Sequence, residues 1–178
     1  MIIAVSGLAG SGKNTFGAAL AKALEYNVVC PTFKDLAKAA GVSLLEFQKM
    51  AHANPEIDKK FDAHLKEEAS RGNCVITTWL GPWMVDADYR IWVDASLEVR
   101  AERLAKREGI SADEALVHIK KRDADNRERY LKLYNIDILE HGDFDLELSS
   151  EKYRPIEMVK ITLSTLKKDK NETQQTER

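Results

Sequence analysis

Apolar residues recur along this chain with two alternating periods. Residues 2–6 (IIAVS) form a short apolar run rich in β-branched side chains. That is the pattern of a strand buried on both faces in a parallel sheet. Residues 15–24 then space Phe16, Leu20, Ala23 and Leu24 as one face of a helix. The strand pattern returns at 27–30, 74–78, 89–94 and 144–148. Helices are predicted between these runs. One covers 34–40 and closes at Gly41, and one starts at Ser43. Another covers 56–70, with Pro55 in its first turn and Arg71-Gly72 after it. Ser96 caps a helix running to about 107 and ended by Gly109, and Ser111 opens a long one to about 134. Pro155 opens the last, to about 166. Ser43 with Glu46, and Ser111 with Glu114, have the spacing of capping boxes. Strands alternating with helices in this way predict an α/β sandwich.

The chain has 178 residues, 44% of them hydrophobic and 31% charged, enough for one domain with a sizeable core. Residues 1–167 are read as that domain and 168–178 as a polar tail, or as the frayed end of the last helix. The net charge of -2 argues against a dedicated nucleic-acid or anionic-membrane binder. No apolar run is long enough to span a bilayer, and the first strand leaves no room for a signal peptide. A cytoplasmic monomer with reduced thiols is expected. Cys30 and Cys74 lack metal-ligand spacing and read as small buried side chains. His52, His64, His118 and His141 share no such spacing either.

Candidate chemistry begins between the first strand and the first helix. Gly7, Leu8, Ala9, Gly10, Ser11, Gly12, Lys13, Asn14 and Thr15 read GLAGSGKNT, close to the phosphate-loop pattern G-x-x-x-x-G-K-[ST]. Consecutive backbone amides leading into a helix N-terminus bind phosphate, and the lysine reaches the β- and γ-phosphates. Asn14 stands where a Mg²⁺-ligating hydroxyl is usual. An amide oxygen can replace it less well, or the metal can be left to water and phosphates.

Arginines supply a second element. On the helix from Ser96, Arg100, Arg103 and Arg107 flank the core face of Leu97, Ala101 and Leu104. On the long helix, Asp123 and Asn126 interrupt an apolar stripe that Arg122 and Arg129 flank. Such a helix either lines a site or presents a solvated face.

With Lys13-Asn14-Thr15 as a Gly-Lys-x-Thr variant, the chain resembles the archaeal-type cytidylate kinases, a branch of the nucleoside monophosphate kinases. The resemblance runs from Met1 to about Leu166. It rests on FKDLA at 33–37, SLLEF at 43–47, NPEID at 54–58, IWVDA at 91–95, LEVR at 97–100, ERY at 128–130 and YNID at 134–137. It implies a P-loop NTPase-type three-layer sandwich with a five-stranded parallel sheet. A helical segment at 30–72 would hold the monophosphate, and a short lid would span 106–125. The reaction implied is phosphoryl transfer from ATP to CMP or dCMP, with Mg²⁺. Residues 7–15 would hold ATP. Lys13, Arg107, Arg122 and Arg129 would surround the transferred group, with Arg103 near the ATP base. Asp94 would hold Mg²⁺ through water, or else cap the following helix. Lys34, Trp79, Gly81 and Trp83 are the acceptor candidates, with Asp145 either a further acceptor contact or a surface or strand-end carboxylate.

Two departures bear on the acceptor. Lys34 stands where the family has an arginine, and keeps the charge without the bidentate fork. After the third strand the family has an acidic residue, a small one and Arg-Leu-Ala-Gly-Trp, whereas residues 77–83 here read TTWLGPW. Trp79 can stack on a base but cannot clamp a phosphate. A kinase for another nucleotide or metabolite, and a nucleotide-binding module without phosphotransfer, are the rival readings. A nucleic-acid kinase lacks the basic excess it would need.

Overall fold

The central strand, β1 (Ile2–Ser6), pairs in parallel with β3 (Cys74–Thr77) on one side and β4 (Tyr89–Asp94) on the other. β2 (Asn27–Val29) and β5 (Leu146–Ser149) complete a five-stranded parallel sheet in the order β2-β3-β1-β4-β5. The computed structural model describes residues 1–31, 33–54 and 56–176, with the side chains at 33, 34, 44, 45, 48, 52 and 169–176 excepted. Pro55, expected in a helical first turn, lies outside the described residues.

Both faces of the sheet are covered, as the unbroken apolar strands require. Ile3 and Val5 of β1 pack with Phe16 and Leu20 of α1 (Lys13–Leu24) and with Met158 and Leu166 of α8 (Pro155–Thr176). Ala4, between them in sequence, faces the opposite side with Ile76 and with Leu65 of α4 (Glu56–Ser70). The β1–β2 crossover leads to one side of β1 and β4 lies on the other, so the chain reverses direction across the sheet at the end of β1. A crevice at the carboxyl ends of the strands results, the usual ligand position in such sheets.

α2 (Phe33–Ala39), α3 (Leu44–Ala53) and α4 form the helical segment between β2 and β3. α6 (Leu97–Glu108) and α7 (Ala112–Tyr134) form a helical hairpin after β4, joined by Ala101, Leu104, Ala115 and Ile119. Both capping boxes are formed.

Several elements differ from the sequence expectation. α1 opens at Lys13, two residues earlier, because the Gly-rich loop itself turns into the helix. α5 (Gly81–Met84) is a single turn with Pro82 in its opening positions, too short to show a period. β5 begins at Leu146, and Phe144 instead packs in a cluster with Trp83, Trp92 and His141. α8 continues to Thr176, so most of the polar tail is helical. Among the described residues, no helix is long and apolar enough to cross a membrane.

Candidate active site

The Gly-rich loop sits at the carboxyl end of β1, against the ends of its neighbours. Gly7 has φ +154°, and a Cβ there would lie 2.3 Å from the Val93 carbonyl oxygen. Gly10 has φ +79° and would place a Cβ 2.9 Å from the Arg100 carbonyl oxygen. Both positions therefore need glycine for closeness as well as for backbone angle. Gly12 caps α1 in the left-handed region and supplies no side chain to the first-turn amides. Those amides and the positive helix end are left for an anion.

Lys13 is partly buried beneath this loop. Its Nζ lies 5.0 Å from the centre of the Trp79 ring and 3.5 Å from the Leu8 carbonyl oxygen. Burial, then the charge of Arg122, pulls its pKa down to about 8. The negative charge of a phosphate would offset both effects and raise it toward the ordinary lysine range. Nucleotide-bound protein therefore holds more protons than free protein above about pH 8. ATP binding is expected to take up as much as about one proton at pH 9 and to weaken as pH rises through that window. Titration calorimetry in buffers of different ionisation enthalpy reads this directly. Equal heats across buffers would sink the idea.

Arg100 and Asp123 brace the same loop. Arg100 is 5% exposed, and its Nη1 donates to the Ala9 carbonyl at 3.0 Å and to Asp123 at 2.6 Å. Asp123 also accepts from the Ala9 amide at 3.3 Å. Arg103 donates to the carbonyls of Gly10 and Ser11 and to Ser150. Its edge is occupied and it lies against the back of the loop.

Asp94 ends β4 with its side chain exposed. Ser96, not Asp94, caps α6 by accepting from the Val99 amide. Among the described residues, no group of three or more His, Cys, Asp or Glu can hold a metal. A cation here would rely on phosphate oxygens, water and one carboxylate. Asn14 is exposed and donates to the Cys30 sulfur at 3.4 Å, while that thiol donates to the Thr77 carbonyl. Cys30 is thus partly buried at the mouth of the site.

Arg129 lies on α7 further from the loop. Its Nη2 is 3.6 Å from Asp58, its guanidinium carbon is 5.1 Å from the Tyr130 ring centre, and it reaches the Tyr130 hydroxyl at 3.3 Å. Asp58 and Asp62 of α4 are both buried, and Asp62 accepts from the Tyr134 hydroxyl. Burial raises the pKa of both carboxyls, and the Arg129 charge opposes this at Asp58.

Several expected site residues stand elsewhere. Arg107 is at the outer end of α6, exposed and paired with Glu108 at 2.8 Å, so the structure does not bring it to the loop. Asp145 precedes β5 and accepts from the Arg90 amide near the start of β4, at the opposite end of the strands from the loop. It closes a sheet edge and is removed from the acceptor set. Gly81 is buried, and its amide donates to Thr78 at 2.9 Å. A Cβ there would meet Ile76 at 2.8 Å, so the position is closely packed against β3. Trp83 packs on Phe144 at 5.1 Å between ring centres and joins Trp79, Leu80 and Tyr130 in one apolar cluster. The Lys34 side chain lies outside the described residues.

Sequence reasoning placed Arg100 only as one of a flanking stripe and did not single out Asp58 and Asp62 beside the candidate site. Signals existed for each. Asp58, Asp62, Leu65 and Ala69 fall on one helical stripe, so two carboxylates continue a buried face. Arg100 flanks Ala101 and Leu104, and a buried cation needs a buried anion, which Asp123 supplies from the facing helix.

A parallel sheet with an uncapped Gly-rich loop and a lysine at its central carboxyl end, under an arginine-bearing helical hairpin, defines a P-loop kinase domain. Shikimate kinase of Bacteroides thetaiotaomicron shares this fold, with a TM-score of 0.62 over 94% of this chain and 98% of that one at 17% identity. The family model described as the cytidylate kinase-like family matches residues 2–152. The chain is 47% identical over 158 residues to the cytidylate kinase of Pyrococcus horikoshii, covering 87% of this chain and 82% of that protein. It is 48% identical over 158 residues to the cytidylate kinase of Pyrococcus abyssi, covering 87% of each. The chain belongs to the cytidylate kinase-like family.

Proposed function

We propose that this chain is a cytidylate kinase, transferring the γ-phosphoryl group of ATP to CMP or dCMP to give ADP and CDP or dCDP. The observation that carries this reading is an intact phosphate loop in a chain that matches archaeal cytidylate kinases over most of its length. Residues 7–15 cradle the ATP phosphates with backbone amides, and Lys13 meets the β- and γ-phosphates. Arg122, whose charge already reaches Lys13, and Arg129 flank the path of the transferred group. Charge spreads over the phosphoryl oxygens in a loose transition state, so fixed cations do most of the catalysis. Arg103 presents the faces of its guanidinium beside the loop, where a base can stack. Mg²⁺ would neutralise the β- and γ-oxygens, with Asp94 holding it through water.

The acceptor falls to the segment 30–72, with Lys34 the candidate for its phosphate and Trp79 and Trp83 along the apolar floor. Residues 106–125 serve as the lid, and Arg107 joins the site only if the hairpin closes. Domain 1–167 acts as a monomer on small-molecule nucleotides in the cytoplasm, with neither nucleic acid nor membrane as partner. The deciding assay is coupled ADP release with ATP, Mg²⁺ and each nucleoside monophosphate in turn. CMP or dCMP is expected to stimulate turnover most. ATP binding with no acceptor-dependent turnover would overturn the reading.

A further inference from the structure

We propose that Arg100 and Asp123 are positioning residues that register the lid helix on the phosphate loop and so set where Arg122 stands relative to Lys13. The inference rests on the kinase reading of Arg122 and deepens it.

Ala9 is held at both its amide and its carbonyl by this pair. Asp123 Oδ1 accepts its amide at 3.3 Å, and Arg100 Nη1 donates to its carbonyl at 3.0 Å. The two side chains meet each other at 2.6 Å, and Arg100 Nε is anchored on the Ala95 carbonyl at 3.1 Å. Four separate stretches of chain thus meet at one guanidinium: the phosphate loop, the end of β4, α6 and α7. A buried ion pair is a weak source of stability, since desolvation opposes the attraction, and conformational specificity is one reason such pairs are kept. Arg122 is the residue before Asp123, and it is the charge that depresses the Lys13 pKa most. Fixing Asp123 on Ala9 therefore fixes the helix turn that carries Arg122. The like charges of Lys13 and Arg122 oppose each other, as the lowered Lys13 pKa reflects, and a polyanionic phosphate would relieve that opposition. The Lys13–Trp79 contact keeps the lysine beside that space. Arg100 also lies at the loop itself, with its own carbonyl 2.9 Å from where a Gly10 Cβ would be. Displacing it would disturb the turn that Gly10 makes possible.

The test is a double-mutant cycle on the full chain, using Asp123→Asn and Arg122→Ala, read as kcat and KM for ATP and for CMP. Asp123→Asn keeps the shape and can still accept from Ala9, but loses the charge that holds Arg100. If positioning is its role, kcat falls roughly 10- to 100-fold with each KM changed less than about threefold. In the Arg122→Ala background the same substitution then has little further effect, because the residue it acts through is gone. Arg100→Lys keeps the charge but cannot span three acceptors at once, and it should reproduce the kcat loss. Rates are scaled to sites counted by binding of a non-hydrolysable ATP analogue, so a poorly folded fraction does not register as lost rate. Equal fold-losses from Asp123→Asn with and without Arg122 would overturn the proposal and leave the pair a structural brace. If Arg122→Ala alone leaves turnover unchanged, the assignment of Arg122 fails and the proposal with it, and the wild-type CMP assay tells that failure apart from loss of the kinase reading.

Discussion

Lys13→Met is expected to abolish turnover, by roughly 10³-fold or more in kcat, while the fold survives intact. The two effects separate because of where Lys13 sits. Its pKa in the nucleotide-free protein is about 8, so the fold disfavours its charged form. The sign follows from linkage. The unfolded chain binds more protons than the folded one between about pH 8 and the ordinary lysine value, so the charge opposes folding below that window. A neutral methionine of similar length removes that opposition, and it still packs on Trp79. The melting temperature at pH 7 should be unchanged or slightly raised. Calorimetric proton uptake on ATP binding should disappear in the same variant. A variant that loses activity only in proportion to lost stability would contradict this account.

Arg129→Ala is expected to damage both stability and rate, through two partners. Removing it leaves Asp58, 4% exposed, without the cation 3.6 Å away. Breaking a buried pair from one side destabilises strongly, and about 3 kcal/mol is the expected loss here, the lower end of the range because Arg129 keeps some contact with water. Asp58 responds by binding a proton more readily. A raised folded-state pKa means that this group's contribution is fully present below the unfolded carboxylate value and is lost as pH rises through the folded one. The variant should therefore be closer to wild type in stability at pH 5 than at pH 8. Adding Asp58→Asn should recover much of the stability, since the uncompensated carboxylate is gone. It should not recover kcat, which is expected to stay roughly 10²-fold down because the phosphoryl group has lost a cation. Recovery of kcat in the double variant would show that Arg129 acts on the fold rather than on the reaction.

The division of labour among the arginines shows where sequence reading reached and where it stopped. Lys13 was legible because the loop pattern fixes its place: a glycine turn and a helix start leave one geometry for the residue that follows. Arg122 and Arg129 were legible as flanks of an interrupted stripe, since helical periodicity fixes which residues share a face. Arg107 sits on the same periodic stripe as Arg103 yet ends outside, because α6 extends past the loop and its last turn meets solvent. Asp145 stands apart for a related reason: a residue beside a strand can lie at either end of the sheet, and only the register between β4 and β5 shows which.

What the sequence determined by itself is the set of local choices. Unbroken apolar strands dictate burial on both faces. Two Ser-x-x-Glu boxes fix where α3 and α7 begin, and the glycines of the loop fix the turn at the end of β1. These depend on neighbours a few residues away, so they are written in the order of the chain. Only the tertiary structure decided which distant groups meet. Asp123 reaches Ala9 across 114 residues, and Arg100 reaches it across 91. Asp58 meets Arg129 because α4 and α7 converge over one crevice. No periodicity encodes such a meeting. It follows from how the helices pack on the sheet, which brings charges distant in sequence to one end of the strands.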